Sequence, residues 1–119
     1  MPLRTFLQAK IHRATITGTN LDYEGSISVC PHLLEVSGIL PFEQVDVYNL
    51  DNGERLTTYA IPGSQGEVRL NGAAAHKGKP DQKVIIAAYC VLNEKEWSGH
   101  RPVVILVDQD NKIKELLHG

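Results

Sequence analysis

Residues 3–17 read LRTFLQAKIHRATIT, and the alternation inside this stretch sets the fold class. Leu7, Ala9 and Ile11 fall on one face and Gln8, Lys10 and His12 on the other, the period of two that a half-buried strand requires. One long strand is predicted over residues 3–17. The following GTNLDYEG, residues 18–25, carries turn chemistry through Gly18, Asn20, Asp22 and Gly25, and Ser26 to Cys30 reads as strand again.

Working outward, Pro31 suits the first position of a short helix with Leu33, Leu34 and Val36 as its apolar face and Gly38 as its end. Val45 and Val47 alternate with Asp46 and Tyr48 up to a hairpin signal at Asn52-Gly53, and residues 55–61 form the return strand. Gly63 to Gly66 makes a turn, EVRL a short strand, NGAAAHKGKPD a small-residue loop with a helical turn, and VIIAAY a buried run. EKEW reads as one turn of helix, and residues 101–117 as two strands around DQDN. Seven or eight short strands and two or three small helices, without a βαβ rhythm, predict one closed, mainly β barrel.

The 119 residues are enough for a single core without disulfides or a structural metal. Twelve Lys and Arg against fourteen Asp and Glu give a formal charge of -2 with no basic stripe, which argues against nucleic acid as a partner. Val84 to Ala88 and Val103 to Val107 are too short to span a bilayer and the N-terminus lacks a signal-peptide core, so no membrane association and a cytoplasmic location are expected. Cys30 and Cys90 read as buried thiols.

Familiar catalytic patterns are missing. Ser26 is outside any G-x-S-x-G, and there is no G-x-G-x-x-G, Walker loop or carboxylate cluster. The histidines His12, His32, His76, His100 and His118 are scattered and read as solvent-facing or hydrogen-bonded, so no metal is expected. What remains is Gly25-Ser26. A serine after glycine can attack the carbonyl of its own preceding peptide bond, turning amide into ester; β-elimination of that ester would break the chain, and the new N-terminal dehydroalanine would lose ammonia to leave a pyruvoyl group. Such a ketone captures a substrate amine as an imine (Schiff base) and acts as an electron sink, the part pyridoxal phosphate plays elsewhere. An isolated Gly-Ser pair is ordinary turn chemistry, so its surroundings decide.

Those surroundings, KIHRATIT, DYEGS, NGERLTTYAI and LNGAAAH, resemble the aspartate 1-decarboxylases in order, spacing and residue type over nearly the whole chain. The resemblance implies a double-psi β-barrel with a few short helices and a homotetramer with active sites between subunits, acting on L-aspartate to make β-alanine for pantothenate and coenzyme A. It also implies self-cleavage between Gly25 and Ser26 into chains 1–25 and 26–119, with a pyruvoyl cofactor from Ser26, no metal and no pyridoxal phosphate; some members use a helper protein for maturation. Residue by residue, Lys10 and Arg55 match carboxylate-binding positions, Tyr59 the proton donor and Thr58 a position used in processing and substrate contact. Asn71, Gly72, Ala73 and Ala74 match the segment that approaches the substrate, while Tyr23 and His12 hold supporting positions. Family members commonly have Ile-Asp where this chain has Val29-Cys30, which puts the speed of maturation in question. Leu56 and Thr57 replace the usual Phe and Ser. Two other readings fit the residues: an uncleaved small barrel serving as a binding or scaffold module, and a decarboxylase of another acidic amino acid such as glutamate.

Overall fold

The structure, a computed structural model, describes residues 2–119. It is mainly β, with nine strands: β1 Arg4–Thr15, β2 Gly18–Asn20, β3 Ser26–Val29, β4 Gln44–Asn49, β5 Arg55–Pro62, β6 Val68–Asn71, β7 Lys83–Leu92, β8 Val103–Val107 and β9 Ile113–His118. Helix α1 spans Pro31–Ser37, α2 Glu94–Trp97, and a 3-10 helix Gly72–Lys77. The strands form one hydrogen-bonded array in the order β2-β6-β3-β5-β4-β7-β1-β8-β9. Ile11, Ile27, Val47, Leu70, Ile86 and Ile105 from six of these strands meet in a single buried cluster. In a flat sheet, Leu70 on β6 and Ile105 on β8 would stand roughly 29 Å apart at the usual strand spacing. The array must therefore curl around its core as a small barrel does.

Strand β1 supplies much of that curvature. Its register against β7 slips twice, between Leu7 and Ala9 and between Ile11 and Ala14, each time with the extra residue on β1. Such bulges bend a strand and increase its twist. Arg13, in the second bulge, takes a left-handed φ of 66°. The inward positions therefore switch from Ala9 and Ile11 to Ala14 and Ile16, all four with no exposure. The alternation read from residues 7–12 holds, but it does not run unbroken to residue 17.

Two short elements follow the sequence closely. Helix α1 begins at Pro31 and ends at Gly38, whose φ of 78° closes it in a left-handed cap with its N–H bonded to Leu34 O. The Asn52-Gly53 turn joins β4 and β5 as an antiparallel pair. One expectation is corrected: Gly18–Asn20 is not turn but strand β2, parallel to β6. Pairing with a distant strand decided this, a contact that local turn chemistry does not reveal.

The far end of the array is tied back by Asn111. This residue is 3% exposed, with a left-handed φ of 61°. Its side-chain oxygen accepts from Thr15 N at 2.7 Å, and its amide donates to Thr15 O at 3.0 Å and Gly66 O at 2.9 Å. The β8–β9 turn is thereby fastened to the end of β1 and to the turn before β6. Asn111→Ala should cost about 2–4 kcal/mol, because it strands buried backbone groups and puts a less tolerant residue at positive φ. Asn111→Gly relieves the second cost and should lose less in a chemical-denaturation comparison. Equal losses would show that backbone strain contributes nothing there.

Candidate active site

The antiparallel register of β3 and β6 sets Ser26 opposite Asn71, each 1% exposed. Asn71 Nδ2 donates to Ser26 Oγ at 3.0 Å and to Ser28 Oγ at 2.9 Å. An amide nitrogen has two hydrogens, so both buried hydroxyls are served at once. The Ser26 hydroxyl donates to Glu24 O at 3.3 Å. Period-two alternation, Ser26 and Ser28 about Ile27, puts both hydroxyls on one side of β3. Ser28 is a member of this site that the sequence reading passed over, and that spacing was the available signal.

The next residue fixes a close backbone approach. Gly72 has φ 61°, and a Cβ there would come within 2.8 Å of Gly25 Cα, Gly25 N and Tyr23 O. These are backbone atoms that cannot swing aside. The 3-10 helix therefore presses its first turn against residues 23–25. At Gly25 itself a Cβ would meet nothing within 4 Å, so packing does not require glycine there.

Gly25 lies at the wall of a pocket of about 390 Å³ that Leu56, Thr57, Thr58 and Tyr59 of β5 share with Ala73, Ala74 and Lys77. Strand β5 runs parallel to β3 with Ile27 beside Ala60, which brings Thr58 and Tyr59 to the level where β3 begins. The Tyr59 ring lies 6.2 Å from Phe42, tilted by 31°. Lys77 is a cation at this pocket that sequence reading did not single out. Its Nζ pairs with Glu54 at 2.9 Å, and its carbonyl accepts from the side chains of Asn49 and Asn52. Nothing local in AHKGK marks it; only the folding of the 3-10 helix over β5 does.

The structure thus gathers Tyr23, Gly25, Ser26, Thr58, Tyr59, Asn71, Gly72, Ala73 and Ala74 around one place. Lys10 and Arg55 are not among the residues that line this pocket, although Arg55 opens the strand that supplies Leu56 to Tyr59. Arg55 faces Tyr48 across β4–β5, its guanidinium carbon 4.5 Å above that ring. Lys10 pairs with Ala87 on β7 and Val104 on β8, and β7, β4 and β5 stand between β1 and β3. His12 is on the same strand beside Leu106, and its Nδ1 is buried without a partner. Burial, then the charges of Lys10 and Arg13, push its imidazole below the usual histidine value.

Cys30, the departure noted beside the cleavage pair, caps α1 from a fully buried position without making a side-chain cap bond. An aspartate there would accept from the first-turn N–H groups. The substitution thus falls on a helix cap, outside the pocket wall at Gly25. Among the described residues, no cluster of three or more His, Cys, Asp or Glu could hold a metal ion, and no helix is long and apolar enough to cross a membrane.

Comparison with known proteins gives matches over nearly the full chain. The aspartate decarboxylase family profile matches residues 2–114. The chain is 54% identical to the aspartate 1-decarboxylase of Acaryochloris marina over 114 residues, covering 94% of this chain and 87% of that protein. It is 51% identical to that of a Hydrogenobaculum species, covering 95% and 90%, and 50% identical to that of Bdellovibrio bacteriovorus, covering 93% and 90%. The chain belongs to the aspartate decarboxylase family.

Proposed function

We propose that this chain decarboxylates L-aspartate at C1 to give β-alanine and carbon dioxide, on the route to pantothenate, after cutting itself between Gly25 and Ser26. The observation that carries this reading is the Asn71 amide on the Ser26 hydroxyl, 3.0 Å away, beside a Gly25 that packing leaves free. In processing, Ser26 Oγ adds to the Gly25 carbonyl carbon and the peptide C–N bond breaks, leaving an ester. A base then takes the Ser26 Cα proton as the Oγ–Cβ bond breaks, Oγ departs as part of the Gly25 carboxylate, and the dehydroalanine left at residue 26 takes up water and releases ammonia. A donor already aimed at Oγ supports its departure as an anion. Thr58, which shares a pocket with Gly25, has the hydroxyl to polarise the carbonyl under attack.

The residues present fit a pyruvoyl group at position 26: the position is buried, the residues against the adjoining Gly25 include the small Gly72 and Ala74, and an amide donor stands beside Ser26 Oγ. Once formed, that ketone supplies an electron sink for the carbon that loses carbon dioxide. The remaining work falls to side chains. Tyr59, at the pocket, returns the proton to that carbon. Arg55 offers a carboxylate two parallel hydrogen bonds, and Lys10 adds a second cation.

Lys10 is not among the residues lining the pocket at Gly25, and the alternation of β1 puts it on the strand face opposite the core residues Ala9 and Ile11, so one chain alone does not assemble the full set. This placement supports active sites shared between subunits of a homotetramer, with Lys10 drawn from a neighbouring copy. A cytoplasmic location completes the proposal.

Ser26→Ala should stay whole and release no detectable carbon dioxide from aspartate; turnover by that variant would overturn the reading. Tyr59→Phe should be processed normally yet lose roughly 10²–10⁴ in kcat, the usual contribution of a positioned proton donor. Lys10→Ala and Ser26→Ala, each inactive alone, should recover part of the activity when coexpressed as mixed oligomers. Failure of coexpression to restore any turnover would count against shared sites.

A further inference from the structure

The outer face of the array carries a group that the proposed chemistry does not use. Tyr48 on β4 and Tyr89 on β7 bring their hydroxyls to 2.8 Å. In register, Tyr48 stands beside Ile85 and Asp46 beside Ala87, so the phenols lean towards one another along the strands. Ala87 lies between them in the register and is 1% exposed, although its neighbours Ile86 and Ala88 also have no exposure. A methyl at that position leaves room for two rings to meet above it. On its other side, Tyr48 faces Arg55, whose guanidinium lies over the ring.

Nearby Asp46 could have cancelled the Arg55 charge. Instead its carboxylate accepts from Thr57 Oγ1 at 2.6 Å and from Tyr48 OH at 3.4 Å. Among the described residues, Arg55 has no ion-pair partner and donates no side-chain hydrogen bond, so its planar edge stays available. The bond from Tyr89, followed by burial, pushes Tyr48 up to about 12. The phenol is neutral at ordinary pH, and its ring presents a π face to Arg55, with the guanidinium carbon 4.5 Å from the ring centroid.

From this arrangement we propose that Tyr89 and Tyr48 act as a two-member brace that holds Arg55 flat with its N–H edge directed outward to grip a carboxylate. Tyr89 and Tyr48 are positioning residues: neither touches the substrate, and both act through Arg55. The proposal rests on the reading of Arg55 as a carboxylate-binding residue. An exposed arginine carries a large rotamer entropy, and a ring beneath it reduces what is lost when a carboxylate binds. Tyr89 matters because an unbraced Tyr48 ring could turn away.

The test uses the mature, full-length protein and two readouts, succinate binding by calorimetry and steady-state turnover of aspartate. Tyr89→Phe and Tyr48→Phe each remove the contact between the two hydroxyls and keep the rings, Tyr48→Phe losing the 3.4 Å bond to Asp46 as well. Each should weaken succinate binding and raise KM about threefold with kcat within about twofold, and the double variant should be no worse than Tyr48→Phe alone. Tyr48→Leu removes the ring and should weaken both by about tenfold or more. A structural role alone would lower the melting temperature without this split between KM and kcat. Succinate affinity unchanged in Tyr89→Phe, or Tyr48→Leu no weaker than Tyr48→Phe, overturns the brace. Wild-type protein that binds succinate but does not turn over aspartate overturns the proposed reaction while leaving the brace to be judged on binding alone.

Discussion

The Asn71 amide, shared between the Ser26 and Ser28 hydroxyls in a region closed to water, is the constraint on which the site depends. Two buried hydroxyls without a donor would each carry a desolvation cost of about 1–3 kcal/mol. One side chain removes both costs, and only one β3–β6 register allows it. A slip by one residue would turn Ser26 and Ser28 to the other face and bring Ile27 and Val29 into their place. The same register delivers Gly72 against Gly25, and with it the first turn of the 3-10 helix that forms one wall of the pocket. Hydrogen bonding, register and pocket shape are therefore one arrangement seen at three scales.

The sequence was most informative where structure is made locally. Pro31 and Gly38 bound helix α1 because a fixed φ and a left-handed cap are properties of those residues alone. The turn at Asn52-Gly53 and the one-turn helix EKEW were legible for the same reason. Strand β2 was not, because GTN becomes a strand only through its partner β6. Nor was the phase change in β1, which the bulge at Arg13 imposes so that the array can curl.

The site divides along the same line. Asn71, Gly72, Thr58 and Tyr59 could be named from their motif, and the fold brings them to Gly25. Ser28 was within reach through its period-two spacing from Ser26, whereas Lys77 and the Tyr48–Tyr89 pair were not, since each acquires its place from contacts between residues distant in sequence. Lys10 shows the converse. Its motif is clear, yet within one chain it does not line the pocket at Gly25. A dicarboxylate substrate needs fixed cations near the reacting centre, and neither Lys10 nor Arg55 lines the pocket at Gly25. The shared-site assembly proposed above would bring them to it.

Everything chemical in this account depends on the peptide bond before Ser26 being broken by the protein itself. Intact-mass spectrometry of the purified chain during incubation measures that directly. The account predicts that the 119-residue species gives way to fragments 1–25 and 26–119, the larger one lighter by one ammonia than a fragment beginning in free serine. A chain that stays whole after prolonged warming, or a larger fragment that begins in serine, would contradict it.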